Sequence, residues 1–376
     1  MADLRHWLLL AAIALVFSSG AGARNDSPYS LPMPLAGRSL LLDIAIVADK
    51  AVSVGERGHV LISEPTSGGW AQGEVPTRQL LTSVYFLDER SGWAAGHDGI
   101  ILATHDGGKH WSIQRDGLAS QARENQEQRQ RLLERLEALE ARIAAEESAQ
   151  VRADLLNVLD ELQLDLEDID YALSAPAQAP PLMDVWIADA DRGYAVGAFG
   201  TLLITRDGGR HWQSIGTAID NPGDMHFYGV TGDGEGNVWV VGEGGVLYHS
   251  VDAGETWQSL EAPYRGTFFG IARAPGTGRL VVFGLRGNAF FSDDLGKTWL
   301  PSLTNTQRSI AGGVWLNDQY IILAGAVGGL LVSEDAGKTF EPRPLPNRLD
   351  LSAVAVRRGK VIAVGQGGIH SIGTLQ

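Results

Sequence analysis

The chain has 376 residues, no cysteine and a formal net charge of −15. That length admits one large domain or two or three ordinary ones, and the acidic balance argues against a nucleic-acid binder, which would normally show a basic face. Glycine is abundant, at 47 residues without a collagen period, so the chain is expected to turn often.

The N-terminus reads as an export signal. Arg5 and His6 precede an unbroken apolar run from Trp7 to Phe17, and Ala21 and Ala23 form an A-x-A cleavage pattern. The run is too short to span a bilayer. Residues 1–23 are therefore expected to be removed, leaving a periplasmic protein that begins near Arg24. Without cysteine it can carry neither a lipid anchor nor a disulfide, so its stability must come from its core. No later segment has the length and apolarity of a transmembrane helix.

Beyond the signal, one pattern recurs. "THDGGKHW" (Thr104 to Trp111), "TRDGGRHW" (Thr205 to Trp212), "SVDAGETW" (Ser250 to Trp257), "SDDLGKTW" (Ser292 to Trp299) and "SEDAGKTF" (Ser333 to Phe340) share S/T-x-D-x-G-x-x-W/F. A worn copy, "SEPTSGGW", runs from Ser63 to Trp70. Upstream of each copy stands an apolar residue and a glycine, then two variable residues and usually a second glycine. The first glycines are Gly55, Gly96, Gly197, Gly242, Gly284, Gly325 and Gly365, spaced 40–45 apart except for one long step between Gly96 and Gly197. Setting aside 1–23 and 118–176, the rest makes seven units of 42 residues. A period of this size with four short strands per unit predicts an all-β, seven-bladed β-propeller. The last unit lacks a fourth strand. "YSLPMPL", Tyr29 to Leu35, resembles the outer strands, so residues near 27–34 are expected to complete the seventh blade and close the ring.

Residues 118–176 are a different kind of sequence. They are nearly free of glycine, and Leu132, Leu136, Leu139 and Ile143 step by 4, 3 and 4. Leu155, Leu159, Leu162, Leu166, Ile169 and Leu173 continue the alternation. These are heptad seams, and they predict an inserted antiparallel helical hairpin with arms of roughly 25 residues and roughly 38 Å. The insert holds 6 Arg against 14 Asp and Glu, most of the excess on its second arm. The propeller is thus divided into 24–117, with the closing strand and two blades, and 177–376, with five.

The repeated residues are given structural work. Asp106, Asp207, Asp252, Asp294 and Asp335 sit in the turn between third and fourth strands, where an Asp braces backbone N–H groups. Gly108, Gly209, Gly254, Gly296 and Gly337 supply the permissive backbone of that turn. Trp111, Trp212, Trp257, Trp299 and Phe340 bury a ring between sheets. His105, Lys109 and His110 vary between copies and are read as incidental. "GKT" at Gly296–Thr298 and Gly337–Thr339 lacks the earlier glycine of a phosphate loop, since Phe291 and Val332 stand there. His97, His105 and His110 lack any metal-ligand spacing, so neither metal nor cofactor is expected.

The S/T-x-D-x-G-x-x-W/F pattern is that of the Asp-box, or bacterial neuraminidase repeat. Together with the glycine landmarks and the signal, the chain resembles the photosystem II stability/assembly factor-like propellers, in a non-photosynthetic branch. That resemblance implies a non-enzymatic scaffold for a membrane-associated complex, with a membrane protein or transporter as partner. The photosynthetic members are held to grip theirs partly through an arginine-rich patch, whereas here the inter-strand loops offer only scattered arginines such as Arg57 and Arg286. Relatives found near exporters of the resistance-nodulation-division type make an exporter accessory one implied role. The alternative is a sialidase-like enzyme, against which stands the missing Arg-Ile-Pro motif. The hairpin joins an outer strand to the next inner strand, so it must share a face with the loops between second and third strands. Those loops carry Glu56, Arg57, His97, Asp98, Phe199, Glu243, Leu285, Arg286, Val327 and Gln366, and this face is the candidate partner surface.

Overall fold

A computed structural model describes residues 28–63 and 68–374. The export signal, part of the worn repeat (64–67) and residues 375–376 lie outside them. The described residues form seven antiparallel sheets, six of four strands and one of three, together with two helices. The inner strands are Leu41–Val47, Leu81–Phe86, Leu182–Ile187, Phe227–Gly232, Phe268–Arg273, Ile310–Trp315 and Leu351–Arg357. Each packs against the inner strand of the next sheet, and the last packs against the first. The core lies between sheets. At the junction of last and first, Leu41, Ile44 and Leu61 meet Ala353, Ile362 and Val364.

All seven landmark glycines end a second strand, for example Gly193–Gly197 and Val238–Gly242. Their backbones are extended; the requirement for glycine is steric. A Cβ on any of them would collide with a carbonyl oxygen just ahead of the blade's own inner strand: Leu40, Leu80, Pro181, His226, Thr267, Ser309 and Asp350. The same oxygen accepts the N–H of the residue after the glycine, as in Glu56 to Leu40 at 3.0 Å, Glu243 to His226 at 2.8 Å and Gln366 to Asp350 at 2.9 Å.

The five intact boxes are bonded alike. The Ser or Thr hydroxyl donates to the Asp, at 2.8 Å for Ser250 to Asp252, and accepts the glycine N–H, at 2.8 Å from Gly254. The Asp accepts the N–H four residues on and also that residue's side chain: Thr256 Oγ1 at 2.6 Å, Thr298 Oγ1 at 2.7 Å, Thr339 Oγ1 at 2.7 Å, and Nδ1 of His110 and His211 at 2.6 Å. His110 is therefore not incidental; it does the work of threonine. These bonds hold the carboxyls of Asp106, Asp207 and Asp252 down to about 2. Each turn also clips to the preceding blade. Tyr194 Oη donates to Ala253 O at 2.8 Å, and Trp239 Nε1 donates to Leu295 O at 3.1 Å.

The expected closing strand is corrected. The seventh sheet has three strands among the described residues, ending in Gly368–Thr374. Residues 28–35 run beside the first blade instead. Ser30 donates its N–H to Val75 O at 2.9 Å, and Gln72 Nε2 bonds Leu31 O at 2.9 Å. Pro28, Pro32 and Pro34 have no N–H for a ladder. The short 3₁₀ turn Ala36–Arg38 then crosses against Ile369, where a link between last and first blades would run. Arg358 pairs with Asp49 across the same junction, at 2.5 Å.

The glycine requirement is testable. Gly242→Ala should lower unfolding stability by about 3 kcal/mol, since backbone rather than a side chain must yield. Gly37→Ala, whose Cβ would meet only Ile369 at 3.7 Å, should be near neutral. Equal denaturant midpoints for the two variants would refute the argument.

Candidate functional site

One face of the ring is built from the loops that follow the landmark glycines. The second residue of every such loop has positive φ: Arg57 (59°), Asp98 (56°), Phe199 (55°), Gly244 (65°), Arg286 (58°), Val327 (59°) and Gly367 (74°). A side chain there carries roughly 1–2 kcal/mol of strain. Five of the seven positions bear one regardless, and the loop bonds hold it in place. Phe199 is 63% exposed, with its ring edge-on to His226 at 4.8 Å. Its N–H donates to His226 Nδ1 at 2.8 Å, so the loop backbone positions the exposed ring.

All ten residues expected to line this face lie in these loops. Glu56, Glu243 and Leu285 are half-buried. Two of the three turn inward, to the carbonyl-side backbone: Glu56 Oε1 accepts Leu40 N–H at 3.3 Å and Glu243 Oε2 accepts His226 N–H at 3.3 Å. His97 and Gln366 are exposed. Sequence reasoning missed the blade-to-blade connections. Arg38, Arg78, Arg265 and Arg348 each stand three residues ahead of an inner strand, with Cα atoms beside the loop glycines Gly368, Gly58, Gly245 and Gly328. Arg308 lies two ahead of another. With Arg57 and Arg286 they form an exposed arginine arc over blades five to seven and one. The fixed offset was readable in "GRSL", "TRQL", "YRGTF" and "NRLDL".

The helices rise from this face between the second and third blades, where Arg78 lines a surface pocket with Asp116, Gly117 and Leu118 of the stem. α1 (Gly117–Ala145) and α2 (Ala149–Ser174) pack through Leu132, Leu162 and Ile169. Asp116 caps α1, accepting Ala119 N–H at 3.0 Å, and Ser148 caps α2. The stem is fixed to the ring. Buried Arg115 donates to Gly99 O at 2.7 Å and approaches Glu124 of α1 at 3.6 Å. Gly117 and Ala179 both lie beside Gly99.

The ring encloses a cavity of about 840 Å³, lined by Asp43, Tyr85, Asp184, Tyr228 and Phe269 among others. Equivalent third positions of the inner strands hold Asp43, Ser83, Asp184, Gly229, Gly270, Gly312 and Ala353. The polar three link four blades. Asp43 Oδ2 accepts Val84 N–H at 2.8 Å, Ser83 Oγ donates to Asp184 Oδ1 at 2.7 Å, and Asp184 Oδ2 accepts Val230 N–H at 2.9 Å. Burial pushes Asp43 up to about 6 and Asp184 up to about 7. No group of three or more His, Cys, Asp or Glu that could hold a metal exists among the described residues.

A family model described as Photosynthesis system II assembly factor YCF48 matches residues 62–134 and 171–314, its two parts separated by most of the hairpin. The chain belongs to this family. Among curated relatives, the photosystem II assembly lipoprotein Ycf48 of Synechococcus sp. (strain CC9902) is 29% identical over 181 residues, covering 45% of this chain and 50% of the relative. The chloroplastic photosystem II stability/assembly factor HCF136 of Arabidopsis thaliana is 29% identical over 178 residues, covering 42% and 43%. The chain thus spans about half the length of these relatives. A solved structure titled YCF48 bound to D1 peptide superposes with a TM-score of 0.60 at 16% identity, covering 93% of this chain and 97% of that one, which establishes a shared fold. The WD40 β-propeller domain of Doa1 superposes with a TM-score of 0.59 at 12% identity. The relatives are assembly factors rather than enzymes, and neither the sialidase nor the exporter expectation gains support from them. Among the described residues no helix is long and apolar enough to cross a membrane.

Two measurements probe this face and the channel. Phe199→Gly should leave stability within about 0.5 kcal/mol of wild type, because relief of strain offsets the lost ring contact, whereas Gly244→Ala should cost about 1 kcal/mol. A loss above about 2 kcal/mol for Phe199→Gly would make that ring structural. For the channel, the folded carboxyls have raised pKa values, so the folded state binds more protons than the unfolded one between pH 4 and 7. Stability should therefore fall as pH rises through that window and level off above it, by several kcal/mol, since one pKa unit corresponds to about 1.4 kcal/mol. Asp184→Asn should flatten the fall in urea midpoint between pH 5 and 8; an unchanged slope would show that Asp184 does not titrate there.

Proposed function

We propose that the protein is a non-enzymatic periplasmic assembly factor that holds a segment of a membrane protein on the loop face, between the arginine arc and the helical hairpin. The observation that carries this is the strained display: Arg57, Asp98, Phe199, Arg286 and Val327 sit at positive φ on one rigid face. Strain of this kind persists where the surroundings over-determine it, and it gathers at binding sites. The arginines suit carboxylates of a chain terminus or of an acidic segment, which they grip in bidentate fashion. Phe199 and Val327 supply apolar contact. A structural neighbour is titled as bound to a D1 peptide, so its occupant too is a peptide. The domain division at 118–176 and the export signal belong to this reading. A transporter as the particular partner rests only on the earlier resemblance.

The test is affinity capture from detergent-solubilised membranes with mass spectrometry. Wild type should enrich a membrane protein, and the Arg265→Glu/Arg286→Glu/Arg308→Glu variant should lose it. Deleting 118–176 should also abolish capture while leaving a folded ring, since Gly117 and Ala179 both approach Gly99 at the stem. Capture unaffected by either change would overturn the proposal, as would release of sialic acid from a sialoside panel.

A further inference from the structure

The hairpin has a second face that its own packing leaves unused. Along α2 the inward seam is Leu155, Leu159, Leu162, Leu166, Ile169 and Leu173, of which Leu155, Leu162 and Ile169 are buried at 8%, 4% and 7% exposure. In heptad terms the positions farthest from that seam are Asn157, Leu164 and Tyr171. A solvent-facing stripe of a two-helix hairpin is ordinarily polar. Here Leu164 is 61% exposed and Tyr171 is 77% exposed, seven residues and so two turns apart. Asp160 and Glu167 run along one side of the pair, Glu161 and Asp168 along the other, and all four are exposed. Among the described residues none of the four is in an ion pair. The bridge between the arms is Arg129 to Asp170, at 2.5 Å. Charge is divided between the helices too. α1 balances its arginines and glutamates, whereas α2 carries seven carboxylates against Arg152 alone.

We infer that the outer face of α2 is a docking surface for a basic amphipathic helix of a partner protein. Apolar residues at a two-turn spacing present knobs to a facing helix, and carboxylates on both flanks match lysine or arginine at the positions bordering a partner's apolar seam. The same charges repel nucleic acid and anionic lipid surfaces. The inference does not depend on the loop-face reading; it assigns a second contact, on the far side of the arm.

Full-length protein would be titrated into a fluorescein-labelled 21-residue peptide with leucine at the seam positions and lysine at the bordering ones, whose lysines disfavour pairing with itself. Anisotropy should report saturable binding. Leu164→Gln/Tyr171→Gln should weaken it at least tenfold, and so should Asp160→Asn/Glu161→Gln/Glu167→Gln/Asp168→Asn. A peptide with glutamate in place of lysine should not bind. Far-UV circular dichroism should show an intact hairpin in both variants, since the inward seam is untouched. Absence of binding would overturn the inference, as would binding that the Leu164/Tyr171 variant leaves unchanged, because charge alone would then explain it. Sedimentation of the protein by itself covers the remaining occupant: a dimer dissociated by Tyr171→Gln would assign the face to a second copy and equally overturn it.

Discussion

One contact, made seven times, organises the molecule. The glycine ending each second strand lies so close to the carbonyl ahead of its own inner strand that no Cβ fits, and the next N–H donates to that same carbonyl. The bond fixes where the inner strand begins. It also coincides with a register shift two residues later in every blade, as between Leu41 and Asp43 or Phe227 and Gly229. The bulge sets which residue reaches the channel, and the turn beyond the glycine sets which residue stands at positive φ on the loop face. The channel and the display surface are thus two ends of one local geometry. The Asp-box governs the other rim. There the bonded turn presses a glycine against the blade before it, such as Gly254 against Tyr194 and Gly296 against Trp239.

The fold was legible because both contacts demand particular residues. Backbone approach demands glycine, and a turn carboxylate that accepts several donors demands Asp with Ser or Thr two residues earlier. Such requirements leave a periodic trace, and the heptad steps of the hairpin are equally strict. What stayed hidden lacked that strictness. "YSLPMPL" matched an outer strand in composition, but its prolines and the free carbonyl of Val75 directed it to the first blade. His110 looked like noise because imidazole and threonine can both donate to the same carboxylate. The connection arginines were periodic but fell outside the loops that had been singled out, and only folding brings Arg265 beside Gly245 or Arg348 beside Gly328.

The ring is nearly seven-fold in backbone and far from it in side chains, and the departures cluster. In the channel, Asp43, Ser83 and Asp184 occupy blades one to three, while Gly229, Gly270, Gly312 and Ala353 occupy the rest. On the loop face the arginine offset is kept ahead of blades one, two, five and seven; ahead of blade three stands Ala179 and ahead of blade four Asp224. The hairpin is inserted just ahead of blade three, where the offset arginine is missing. A fold that needed only closure would have no reason to sort its charges in this way.

Sorting of charge across a rigid face has a mechanical consequence. The arm is tied to the ring at its stem by Arg115, which bonds Gly99 O in the loop that carries Asp98 and pairs with Glu124 of the first helix. A segment held by the arginine arc on one side and an arm on the other would be gripped at two points by a body that does not bend. Two-point attachment raises effective concentration without requiring either contact to be tight. That suits a factor that must hold its client during assembly and release it afterwards, since loss of one weak contact lowers the affinity of the whole.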